Sequence, residues 1–124
     1  MHVLGIFDLS RAKYYNRLYG NRIMEKRVYT IDEISNIVKP IAKSYGVGRL
    51  SLFGSYARGD ATEDSDIDFR IIEDGALRGF VRLAGFHREL EESLHTHVDV
   101  IPTDALSESF LNEIISEEVI VYAS

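Results

Sequence analysis

The sequence predicts an α/β or α+β domain, a small mixed sheet with helices packed on it. Three observations carry this. Helix-period and strand-length apolar segments alternate from residue 24 onward. Glycine and proline punctuate the joints between them. The chain of 124 residues is long enough for one hydrophobic core and too short for two.

The first ordered segment opens at Thr30. Glu33 follows three residues later, the spacing of a capping box, and Ile31, Ile34, Ile37, Val38, Ile41 and Ala42 fall on one helical face. Pro40 is expected to kink or split this helix, and Gly46 to end it. "VGRLSLF" (47–53) reads as a strand and "DIDFRII" (66–72) as a second. Residues 76–94 read as a helix with Phe80, Leu83, His87, Leu90 and Leu94 turned inward, although Gly79 and Gly85 weaken it. "HVDVI" (97–101) is a third strand. Pro102-Thr103 opens a last helix to about Val119, with Leu106, Phe110, Ile114 and Val121 inward. Residues 1–23 show neither period. They read as a basic partner-binding tail or a start assigned too early, ahead of a domain at 24–124.

Composition narrows the function. There is no cysteine, which excludes a disulfide framework, a thiolate zinc site and a cysteine nucleophile, and fits a reducing cytoplasm, the expected location. No apolar run approaches the ~20 residues of a membrane span, and the start lacks a secretory pattern. Net charge is −6. Residues 1–30 carry six Lys/Arg against Asp8 and Glu25, so the remainder is strongly acidic. That balance argues against direct nucleic-acid binding, which depends on basic groups at phosphates. A phosphate compound would have to be met through metal cations.

The chemistry concentrates in "LFGSYARGDATEDSDIDF" (52–69), where Asp60, Glu63, Asp64, Asp66 and Asp68 crowd together. In a strand, Asp66 and Asp68 point to one face, roughly 7 Å apart at the backbone, while Ile67 and Phe69 point to the other. Carboxylates that close repel unless a cation lies between them, and Mg²⁺ favours one or two carboxylates together with substrate phosphates. Gly54 permits close backbone approach, Ser55 offers N–H and hydroxyl, and Arg58 brings a permanent cation shaped for phosphate. Asp99 sits between two valines, so alternation turns it away from the core. Should its strand lie beside 66–72, three acids converge, a set able to hold two metals.

These residues, Gly54-Ser55 followed by Asp66-x-Asp68 and then "VDVI" at 98–101, resemble the polymerase-β-like nucleotidyltransferase superfamily, most closely its minimal nucleotidyltransferases. The match covers roughly residues 28–122. The resemblance implies that fold, with Asp66, Asp68 and Asp99 as catalytic metal ligands and Gly54, Ser55 and Arg58 at the nucleotide phosphates. It implies two Mg²⁺ ions, ATP as substrate, and transfer of AMP to a tyrosine of a HEPN-domain ribonuclease toxin that the protein silences as antitoxin. Neutralisation by binding alone, and nucleotidylation of a small molecule such as an aminoglycoside, remain the alternatives.

Competing signals are weaker. Neither EF-hand register fits the acidic run, since Ser65 or Phe69 falls where glycine is needed. His95 and His97 read as solvated turn residues, Ser55 has no histidine base near it, and Tyr14, Tyr15, Tyr19 and Tyr29 read as packing or interface groups before self-modification sites.

Overall fold

In the computed structural model the described residues are 27–124, so the division at residues 1–23 lies outside them. Helix α1 (Ile31–Tyr45) leads into β1 (Arg49–Phe53), the short helix α2 (Gly54–Arg58) and β2 (Ile67–Glu73). Helix α3 (Phe80–Leu94), β3 (Val98–Pro102), a 3₁₀ turn at Thr103–Ala105, α4 (Glu108–Glu117) and β4 (Val119–Ala123) complete the chain. The sheet order is β3-β2-β1-β4. Strand β1 runs antiparallel to both neighbours, and β2–β3 is the parallel pair.

The capping box forms as read. The Thr30 N–H donates to Glu33 at 2.8 Å and the Glu33 N–H donates to the Thr30 hydroxyl at 3.0 Å. Gly46 ends the helix with φ +72°, the left-handed turn that favours glycine. Helix α1 nevertheless runs unbroken through Pro40. The missing N–H removes one bond, to the Asn36 carbonyl, and both residues are exposed, so water can take the carbonyl while Ile34, Val38 and Ala42 stay buried.

One face of the sheet carries Leu50, Leu52, Ile67, Phe69, Ile71 and Val98 against α1 and against Phe86, Leu90 and Leu94 of α3. The other face takes the alternate residues, Ser51, Asp68, Arg70 and Asp99, and α4 lies over part of it, with Phe53 meeting Phe110 edge-on at 6.4 Å. The two faces thus separate stability from chemistry.

Two elements differ from the sequence reading. Helix α3 begins at Phe80, whose side chain is 86% exposed, and Leu77 enters the core from the preceding turn instead. The last predicted helix is three pieces, because Ser107 rather than Thr103 caps α4 and because β-branched "VIVY" pairs as β4 with the open edge of β1. Val121 is buried from that strand, Ile114 is buried from α4, and Phe110 stays partly exposed.

The return from α4 to β4 is pinned by a buried ion pair. Arg70 donates to Glu118 through Nε at 3.0 Å and Nη2 at 2.7 Å, and through Nη1 to the Thr103 hydroxyl at 2.8 Å. The Ser51 hydroxyl donates to Glu118 at 2.6 Å. These donors outweigh burial and hold Glu118's pKa below the usual carboxylate value. Removing the cation strands a buried carboxylate, so Arg70→Ala is expected to cost about 3–5 kcal/mol, measured by urea unfolding at neutral pH.

Candidate active site

The parallel pairing of β2 with β3 sets Asp68 directly beside Asp99 in register. The two carboxyls act directly on each other's charge, and Asp66, one residue ahead of β2, adds its charge to the same corner. Ile67 and Val98, their neighbours of opposite parity, are fully buried. The three sequence-selected acids are therefore brought together at one end of the sheet. Asp99 is the most open, with half its side-chain surface exposed, on an edge strand.

Burial and mutual repulsion have a measurable consequence. The Asp68 pKa is pushed up from 3.8 to about 7, first by burial, then by the charge and hydrogen bond of Asp99, then by Asp66, with Arg58 opposing. A metal-binding reading can be tested on the donor set. Asp66, Asp99 and His97 each present a ligand atom within 4.8 Å of the others. Two carboxylates and an imidazole, beside the buried Asp68 carboxyl, offer the oxygen and nitrogen donors that a divalent cation takes.

His97 was set aside as a solvated turn residue, yet it belongs to this corner. Its Nε2 lies 3.5 Å from Asp99 and its Nδ1 3.1 Å from Glu91, whose carboxylate also accepts the Val98 N–H at 3.0 Å. A signal was available: residue 97 precedes Asp99 by two, the strand period that puts both on one face.

Opposite the acids, β1 turns sharply into α2 at Gly54, φ +74°. A Cβ at Gly54 would collide with the Asp68 carboxylate. Glycine is thus needed twice, for the backbone angle and for the approach to Asp68. Ser55 and Arg58 follow on α2, and together with Gly54, Asp66, Asp68, Phe110 and Glu117 they line a cleft of about 420 Å³. Arg58 carries ion pairs to Asp60 at 3.3 Å and Glu117 at 3.4 Å, which raise its pKa further. The Gly54 N–H also donates to Glu117, at 2.8 Å. Glu117 was not singled out from the sequence, since its orientation depends on where α4 ends.

A turn with N–H and guanidinium groups on one wall, both held by Glu117, and acids on the other is the layout of a phosphate-transferring site that works through cations. The family model for the nucleotidyltransferase domain matches residues 31–122, every element from α1 into β4, and the chain belongs to that family. The structure of a candidate minimal nucleotidyltransferase shares the fold, with a TM-score of 0.63 at 26% identity over 73% of this chain and 95% of that one. A candidate protein adenylyltransferase of Methanocaldococcus jannaschii is 38% identical over 89 residues, covering 72% of this chain and 95% of the relative. Protein adenylyltransferase MntA of Thermococcus cleftensis is 29% identical over 74% of this chain and 96% of its own. The crystal structure of a toxin–antitoxin complex with AMP-PNP shares the fold, with a TM-score of 0.62 at 17% identity over 73% of each chain.

The raised Asp68 pKa also fixes a pH dependence. In the folded chain the group keeps its proton to about pH 7, whereas unfolded it releases it near 3.8. Its contribution to stability is therefore complete below pH ~4 and lost as pH rises through about 7. In calorimetric melts with chelator present, Asp68→Asn is expected to melt several degrees above the parent at pH 8 and close to it at pH 4.

Proposed function

We propose that the protein is an antitoxin that transfers AMP from ATP, with Mg²⁺, to a tyrosine hydroxyl of a cognate HEPN-domain toxin. The observation that carries the reading is that Asp66 and Asp68 line one cleft with Gly54, Ser55 and Arg58, and that Asp99 stands in register beside Asp68. The relatives' name, protein adenylyltransferase, and the toxin–antitoxin structure with an ATP analogue support a protein acceptor and a toxin partner.

In this reading Asp66, Asp68 and Asp99 would hold two metal ions, and His97, beside Asp99, would be a further donor. Bound there, divalent ions neutralise the triphosphate and lower the pKa of the attacking hydroxyl. The Gly54 N–H, the Ser55 N–H and hydroxyl and the Arg58 guanidinium bind the outer phosphates and hold pyrophosphate in line as leaving group. Asp99, open on the edge strand, marks the side from which a partner's tyrosine enters. The tyrosine hydroxyl gives up its proton to solvent on the open Asp99 side, its oxygen forms a bond to the α-phosphorus, the α–β phosphoanhydride bond breaks, and pyrophosphate departs. Positioning and charge stabilisation supply most of the rate. The sheet's polar face provides the fixed frame.

Coexpression with the toxin partner tests this by mass spectrometry. The parent chain should add AMP to a partner tyrosine, and Asp66→Asn or Asp99→Asn should reduce labelling by at least about a hundredfold, the scale of losing one transition-state charge contact. Protection of cells by both variants without any AMP on the partner would favour neutralisation by binding alone.

A further inference from the structure

The cleft has an internal occupant. Glu117, the last residue of α4, takes the Gly54 N–H at 2.8 Å and lies 3.4 Å from Arg58 Nη1 through both carboxylate oxygens. These are the two groups that the proposed function assigns to the nucleotide's outer phosphates, and the inference rests on that assignment. A carboxylate and a phosphate oxygen make the same demand on an N–H and a guanidinium, so both cannot be served at once.

We propose that Glu117 is an internal competitor of the nucleotide: its carboxylate holds the phosphate seat and has to swing out before triphosphate binds. The backbone next to it is well placed for that exchange. Glu118 is held by Arg70 and Ser51, which fixes the chain at the end of α4 and leaves Glu117 free to leave by side-chain rotation alone. Glu117 is partly open to solvent, with a quarter of its side-chain surface exposed, so the released carboxylate can be hydrated. Charge sharpens the competition. Asp66, Asp68, Glu113 and Glu117 line the cleft against the single guanidinium of Arg58. A nucleotide that arrives without cations meets four carboxylates, and one that arrives with them displaces Glu117 from Arg58 and Gly54. The residue thereby sets both the affinity for nucleotide and its dependence on metal.

Calorimetric titration of the full chain with AMP-PNP, in excess Mg²⁺ and without it, separates the possibilities. Glu117→Gln keeps the side chain's shape and should tighten binding of the magnesium complex about five- to tenfold, the scale of one like-charge contact removed near a protein surface. Glu117→Ala, which also vacates the N–H, should bind at least as tightly. Glu113→Gln removes one charge from the same cleft without touching Gly54 and should change affinity less than about twofold. Unchanged or weaker binding in Glu117→Gln, or an equal gain in Glu113→Gln, overturns the competitor role while leaving the phosphate site intact. Failure of the parent and all three variants to bind the analogue overturns the phosphate-site assignment itself, and the competitor role with it.

Discussion

Three carboxylates forced to one end of a sheet are the constraint on which the remaining site depends. Parallel pairing of β2 and β3 places Asp68 against Asp99, and Asp66 follows from the strand period. Nothing in the hydrophobic core requires acids there, because the core lies on the opposite face, where Ile67, Phe69 and Val98 are fully buried. The corner is electrostatically unfavourable as it stands. Burial and the neighbouring charges of Asp99 and Asp66 raise the Asp68 pKa to about 7, a shift that a nearby cation would reverse.

The surrounding structure tolerates this corner because it is tied down on two sides. On one side Gly54 lets the β1–α2 turn come against Asp68 where any side chain would collide. On the other, Arg70 and Glu118 form a buried bidentate pair that fixes α4 and β4 to the polar face of the sheet. Arg70 is one strand period from Asp68, so the residue that anchors the end of α4 and the residue with the perturbed carboxyl share the same strand and the same face. Folding energy is thus invested in geometry at the site, with buried ion pairs acting more as positioning devices than as sources of stability.

How much of this was legible in the sequence follows from how local each signal is. The capping box at Thr30 and Glu33 is set by neighbours three residues apart, and it formed as read. The acids' shared face follows from a period of two. The neighbouring of β3 with β2 was only a condition in the sequence, since pairing is a long-range choice. Pro40 was over-weighted: its cost is borne on a solvated side while the buried side holds the helix together. Strand β4 goes unread because "VIVY" follows the helix directly, with no turn residue between them, and the open edge of β1 is what pairs with it. That miss hid Glu117 and Glu118, whose roles depend on the boundary. His97 was undervalued because a histidine in a turn is usually solvated, whereas here Glu91 and Asp99 bracket its ring.

Balance of the acidic corner by divalent cations is open to direct measurement. Calorimetric titration of Mg²⁺ or Mn²⁺ into the metal-free chain, repeated in buffers of different ionisation enthalpy, tests it by counting protons. With Asp68 titrating at about 7, binding at pH 7 should release roughly half a proton, and at pH 9 almost none. Cation binding that releases no proton at pH 7, or no binding at millimolar metal, would contradict it.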